Sequence, residues 1–204
     1  MADLGFTHLF YPGDAGQPVI LLLHGTGGDE HDLLDLGRAV AAGAGILSLR
    51  GKVMENGMPR FFKRLGEGVF DMDDLVFRTD ELADFIAKAR DHYGLKQTPI
   101  YALGYSNGAN IAAKLLLHHP GVLAGAMLLR VMIPYTVERI PDLIGTEILI
   151  LAGLMDQIIP VEQPERLANI FNQAGAQVEY HMKPAAHPLV QSDINDMKSW
   201  WEKR

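Results

Sequence analysis

The sequence predicts an α/β fold, a mostly parallel central sheet covered by helices on both faces. Three observations predict it. Short apolar runs alternate with amphipathic stretches along the whole chain. Several of the runs are apolar on both faces, as parallel strands buried under helices require. A Gly-Tyr-Ser-Asn-Gly turn (Gly104 to Gly108) joins one such run directly to an alanine-rich helical stretch. No repeat, low-complexity segment or linker interrupts the pattern, so residues 1–204 are expected to form one domain without a separate cap.

Val19–Leu23, Ile46–Leu49, Pro99–Tyr105, Leu123–Leu129, Glu147–Ala152 and Gln177–Met182 read as strands. Helices are expected between them. Asp74–Tyr93 carries Leu75, Val76, Leu82, Phe85, Ile86 and Ala89 at helical spacing, with Asp71 or Asp73 available as N-cap. Asn107–His119, Val161–Ala174 and Gln191–Lys203 complete the set. Pro160 just before the third of these helices and Gly175 just after it match the usual preferences of helix ends. The stretch from Arg50 to Phe70 stands apart. It mixes Gly51, Gly57, Gly66 and Gly68 with Arg60, Lys63, Arg64, Phe61 and Phe62, and reads equally as a functional loop or as a solvated excursion anchored by two phenylalanines.

Composition narrows the function classes. A net charge of −7 argues against nucleic acid or anionic membrane as the main partner. The chain has no cysteine, which excludes disulfides, thiolate metal ligands and a catalytic thiol. Met1 to Tyr11 lacks a basic segment followed by an apolar one, and the longest apolar runs are of strand length. A cytoplasmic protein without stable membrane insertion is the expectation.

The chemistry centres on Ser106. A serine at a strand-to-helix turn is pushed out where a substrate can reach it, and flanking glycines let strand and helix close around it. Its hydroxyl barely ionises at neutral pH and needs an imidazole held by a carboxylate. In hydrolases with this turn the acid and then the histidine follow the serine in the chain. Asp156 follows the run Glu147–Ala152 directly and is preferred over Glu138, Asp142 and Asp193. His187 follows the last strand, and Pro188 holds it out of the terminal helix. His181 lies within a strand, and His118 and His119 lie at the far end of the helix after Ser106. Charge on a carbonyl oxygen would be met by the backbone N–H of Asn107 and by that of Thr26, in the turn His24-Gly25-Thr26-Gly27-Gly28. His24 itself reads as structural. A dinucleotide fingerprint fails in that turn because its third glycine position falls on Glu30. Phe61, Phe62, Tyr105, Met132 and Met155 are candidates for an apolar substrate pocket.

With these residues placed, the chain resembles the small phospholipase/carboxylesterase group of the α/β-hydrolase superfamily, and within it the bacterial branch often labelled hydroquinone-specific or predicted esterases. Leu22-Leu23-His24-Gly25-Thr26-Gly27-Gly28-Asp29, Arg50-Gly51, Glu55-Asn56-Gly57, Arg60-Phe61-Phe62 and Phe70-Asp71 carry the likeness. It continues through Gly104-Tyr105-Ser106-Asn107-Gly108-Ala109, Leu128-Leu129-Arg130, Ala152-Gly153 with Asp156, and His187. The resemblance implies a capless hydrolase of small carboxylic esters, with no cofactor and commonly a homodimer; no metal site is expected. It also supports Thr26 and Asn107 as the oxyanion donors. Relatives usually carry Gly where this chain has Ala186, Asp-Pro where it has Asp156-Gln157, and a polar residue at Met155. If position 186 needs a positive φ, alanine strains the loop by roughly 1 kcal/mol. Asn107 departs from the glutamine typical of the acyl-protein thioesterase branch. A lysophospholipase or thioesterase-like hydrolase, a cofactor-free perhydrolase, and a non-catalytic small-ligand-binding protein on the same fold stay open as alternatives.

Overall fold

The computed structural model describes residues 4–66, 68–133 and 135–204; the first three residues of the amino-terminal stretch read above lie outside these. A seven-stranded sheet runs through the molecule, in the spatial order His8–Tyr11, Gly45–Leu49, Val19–Leu23, Ile100–Tyr105, Gly125–Leu129, Glu147–Gly153 and Gln177–Lys183. Six of these strands are the apolar runs of the sequence: β2 (Val19–Leu23), β3 (Gly45–Leu49), β8 (Ile100–Tyr105), β9 (Gly125–Leu129), β10 (Glu147–Gly153) and β11 (Gln177–Lys183). They pair in parallel. The seventh, β1 (His8–Tyr11), pairs antiparallel with β3 at the sheet edge.

The apolar-on-both-faces pattern has a direct structural counterpart. In β2, Leu21 and Leu23 join a core with α2 (Met72–His92), α3 (Asn107–His118) and α4 (Glu162–Gln173). Ile20 and Leu22 point the other way, into a second core with α1 (Leu34–Val40) and α5 (Gln191–Trp201). Period-two alternation thus feeds two apolar layers from one strand. Helix α2 starts where its cap predicts: Asp71 Oδ1 accepts the Asp74 N–H at 3.0 Å. No helix among the described residues is long and apolar enough to cross a membrane.

The Arg50–Phe70 segment forms two small antiparallel hairpins, β4 (Val53–Glu55) with β5 (Met58–Arg60), and β6 (Arg64–Gly66) with β7 (Val69–Phe70). Asn56 and Gly57 both have positive φ, 51° and 81°, as a two-residue hairpin turn requires. Phe61 and Phe62 do anchor the segment, buried against His24 and Phe70 with ring centroids 4.7 Å away in each case. The segment also lines the cleft described below, so the two readings of it are compatible.

Candidate active site

The Gly104–Gly108 turn packs with almost no room. A Cβ on Gly108 would lie 2.0 Å from the Leu23 carbonyl oxygen, and one on Gly104 would lie 2.7 Å from the Ala109 Cα. Both obstacles are backbone and cannot step aside. Gly108→Ala is therefore expected to cost about 3 kcal/mol or more, read as a lower urea midpoint; a midpoint equal to wild type would contradict this packing. Ser106 sits at the apex with φ 52° and ψ −111°, a conformation non-glycine residues seldom adopt. Two backbone bonds hold it there: its N–H donates to Leu129 O, and its carbonyl accepts from Asn110 N–H, both at 2.9 Å.

Three side chains far apart in sequence meet at this apex. Ser106 Oγ lies 3.1 Å from His187 Nε2, and His187 Nδ1 lies 2.8 Å from Asp156 Oδ2. The other Asp156 oxygen accepts the N–H groups of Ile158 and Ile159 at 2.8 and 3.1 Å, which leaves Oδ2 to face the imidazole. An ionised carboxylate only accepts hydrogen bonds, so Nδ1 carries the proton and Nε2 is free to accept from the serine hydroxyl. Such a chain can draw a proton from the hydroxyl as it attacks an electrophile.

Most of the rival groups are engaged elsewhere. Asp193 is wholly buried against Arg130, and Asp142 accepts the Ile144 N–H at 3.0 Å. His181 pairs with Asp196, while His118 and His119 face Asp80. His24 is buried, with Nδ1 2.6 Å from Gly25 O and Nε2 accepting the Gly51 N–H at 2.9 Å. Burial pushes its pKa below the usual imidazole value of about 6.5, and the Gly25 carbonyl opposes this. On acidification the unfolded chain takes up this proton before the folded one, so stability falls as pH drops below about 6.5. The Tm of His24→Asn should then fall less steeply between pH 7 and 5 than that of wild type; parallel slopes would show that His24 does not contribute.

Thr26 and Asn107 line the same cleft as Ser106, and neither backbone N–H has a backbone acceptor among the described residues. Asn107 is the first residue of α3, so its N–H has no partner within the helix. The Thr26 N–H donates to no other described residue. Its turn is fixed from both sides. Gly27 N–H donates to Pro59 O at 3.0 Å, and Thr26 Oγ1 accepts from Arg60 Nη1 at 2.7 Å. Glu30, at the failed fingerprint position, is locked by Arg50 at 2.5 and 2.8 Å.

The cleft over Ser106 is small, about 50 Å³, with apolar walls from Phe70, Met132, Ile158 and Ile159 and cationic ones from Arg60 and Arg64. Of the expected pocket residues only Met132 lines it. Phe61 and Phe62 do not: both are buried in the core, and Asn107 Oδ1 accepts the Phe61 N–H at 2.8 Å. Tyr105 lies behind the histidine, where its hydroxyl donates to His187 O at 3.2 Å. Met155 is 58% exposed on the loop after β10.

The sequence reading also missed what holds the histidine. Arg130, at the end of β9, has φ 55° and a fully buried side chain. Its Nε donates to Ala186 O at 3.1 Å and its Nη2 to Pro188 O at 3.3 Å, the carbonyls on either side of His187. Asp193 of α5 balances its charge at 2.6 Å and also accepts the Val190 N–H at 2.9 Å. A lone arginine ending an apolar strand was the available signal. Ala186 is not among the described non-glycine residues with positive φ, so the strain considered at that position does not arise.

A mostly parallel sheet, helices on both faces and a serine at the strand–helix turn define the α/β-hydrolase fold. The sequence pattern of the phospholipase/carboxylesterase family matches residues 7–204, and the chain belongs to that family of hydrolases. It is 45% identical over 196 residues to MhqD of Bacillus subtilis (strain 168), covering 96% of this chain and 98% of that protein. The crystal structure of the Bacillus cereus carboxylesterase is similar with a TM-score of 0.95 at 44% identity, over 98% of this chain and 94% of the other. A carboxylesterase from Mesorhizobium loti gives 0.90 at 30% identity, over 100% and 98%.

Proposed function

We propose that the chain is a serine carboxylesterase acting on small carboxylic esters through an acyl-enzyme on Ser106. The observation that carries this reading is the hydroxyl–imidazole–carboxylate chain, at 3.1 and 2.8 Å, at the base of a small cleft. His187 Nε2 takes the Ser106 proton as Oγ bonds to the ester carbonyl carbon. The resulting oxyanion is met by the Thr26 and Asn107 amides, donors of a kind worth several kcal/mol in the transition state. The imidazolium returns its proton to the departing alcohol, leaving an acyl-serine. A water molecule, deprotonated by His187, then attacks the acyl carbon; the acid leaves and Ser106 recovers its proton. Asp156 keeps Nδ1 protonated and stabilises the imidazolium throughout.

The cleft size selects the substrate range. Across p-nitrophenyl esters of increasing acyl length, acetate and butyrate are expected to exceed octanoate and longer chains in kcat/KM. A steady rise towards long acyl chains would overturn the small-ester reading in favour of a lipid-directed hydrolase.

A further inference from the structure

The cleft carries a charge feature that ester cleavage itself does not need. In a chain of net charge −7, its described walls hold two arginines and no carboxylate. Arg60 is almost wholly buried: Nη1 donates to Thr26 Oγ1 at 2.7 Å and Nε to Phe62 O at 3.3 Å. Arg64 uses only Nε internally, donating to Glu55 Oε1 at 2.7 Å. Glu55 Oε2 lies 3.1 Å from Arg60 Nε, so one carboxylate stands against two guanidinium groups. Arg60 Nη2 and both terminal nitrogens of Arg64 have no acceptor among the described residues. Asn107, on the same cleft, has its side-chain oxygen taken by Phe61 and its buried Nδ2 unpartnered. Arg60, 5% exposed, shares its one carboxylate with Arg64, so an anion entering the cleft meets a desolvated guanidinium and a partly exposed one, both with donors to spare.

We propose that Arg60 and Arg64 hold a carboxylate of the substrate, and that the preferred esters are half-esters of short dicarboxylic acids. The planar guanidinium fork fits a carboxylate with paired donors, and such charge-assisted bonds are the stronger kind. Water cleaves the half-ester to an alcohol and a dicarboxylate, with one proton released to solvent. This deepens the esterase reading and rests on it.

Ethyl butyrate and monoethyl succinate share a leaving group and a four-carbon acyl chain, and differ in a terminal methyl against a carboxylate. Wild type is expected to favour monoethyl succinate in kcat/KM by about tenfold or more. Arg64→Leu should lower that ratio by about tenfold, and Arg64→Lys by less. A ratio at or below one in wild type, or one that Arg64→Leu does not move, overturns the proposal while leaving the esterase intact. Binding separates the two ideas: calorimetry with succinamate and butyramide needs no turnover. Tighter binding of succinamate that is lost in Arg64→Leu supports the anion site even if neither ester is cleaved, and that second result sinks the esterase reading alone. Equal binding of the two amides counts against the anion site.

Discussion

Ser106→Ala is expected to lower kcat by about five orders of magnitude, with little change in the melting temperature. The methyl group removes the nucleophile and adds no bulk to the tight turn, whose backbone bonds to Leu129 and Asn110 do not involve the hydroxyl. His187→Ala should cost nearly as much, because an un-ionised serine without its base is scarcely a nucleophile. The double variant should then be no slower than either single one, since residues that act as one unit lose their effect together. Asp156→Asn is expected to be milder, about four orders of magnitude, because it leaves serine and imidazole in place and spoils the tautomer. Multiplicative losses in the double variant would mean that the two groups act in separate steps.

Arg130→Met should lose about 3–5 kcal/mol of stability, the cost of leaving a buried partner charge uncompensated. Asp193 is the stranded group, with none of its side chain in contact with solvent. Pairing the change with Asp193→Leu removes the stranded charge, and replacing both members of a buried pair by apolar groups is often neutral. Stability should therefore recover in the double variant. Turnover should not. The carbonyls of Ala186 and Pro188 remain unheld, and His187 loses the clamp that keeps it 3.1 Å from Ser106. Stability rescued together with kcat would reduce Arg130 to a purely structural role. Rescue of stability alone makes it the positioning residue of the histidine.

Both results turn on side chains that differ in how visibly the sequence announces them. Ser106 is legible because the glycines at 104 and 108 admit no Cβ, and that demand shows in the sequence as spacing. Asp156 and His187 are legible because each follows an apolar run that becomes a parallel strand, and such runs end on one edge of the sheet. Arg130 is less so: its role depends on which loop passes over β9 in space. Strand β1 is hard to read because it is a four-residue edge strand, half-buried, with only Leu9-Phe10-Tyr11 to mark it. Helix α1 is seven residues long, contains Gly37 and has no side-chain N-cap bond, so its periodicity is too short to read. The hairpin at Asn56-Gly57 does carry a signal, the Asn-Gly pair itself, inside the glycine-rich Arg50–Phe70 connection. Phe61 and Phe62 show the limit most plainly. Adjacent aromatics in a three-residue connection have no period, and their burial against His24 and Phe70 depends on contacts distant in the chain or across a hairpin.

Covalent trapping tests the central claim most directly. Incubation with a fluorophosphonate, followed by intact-protein and peptide mass spectrometry, should give one adduct on Ser106, with ester turnover lost in proportion to labelling. His187→Ala should label far more slowly, since the same imidazole must activate the hydroxyl for either electrophile. A fully labelled protein that still cleaves esters, or inactivation by an adduct on any other residue, would contradict the account.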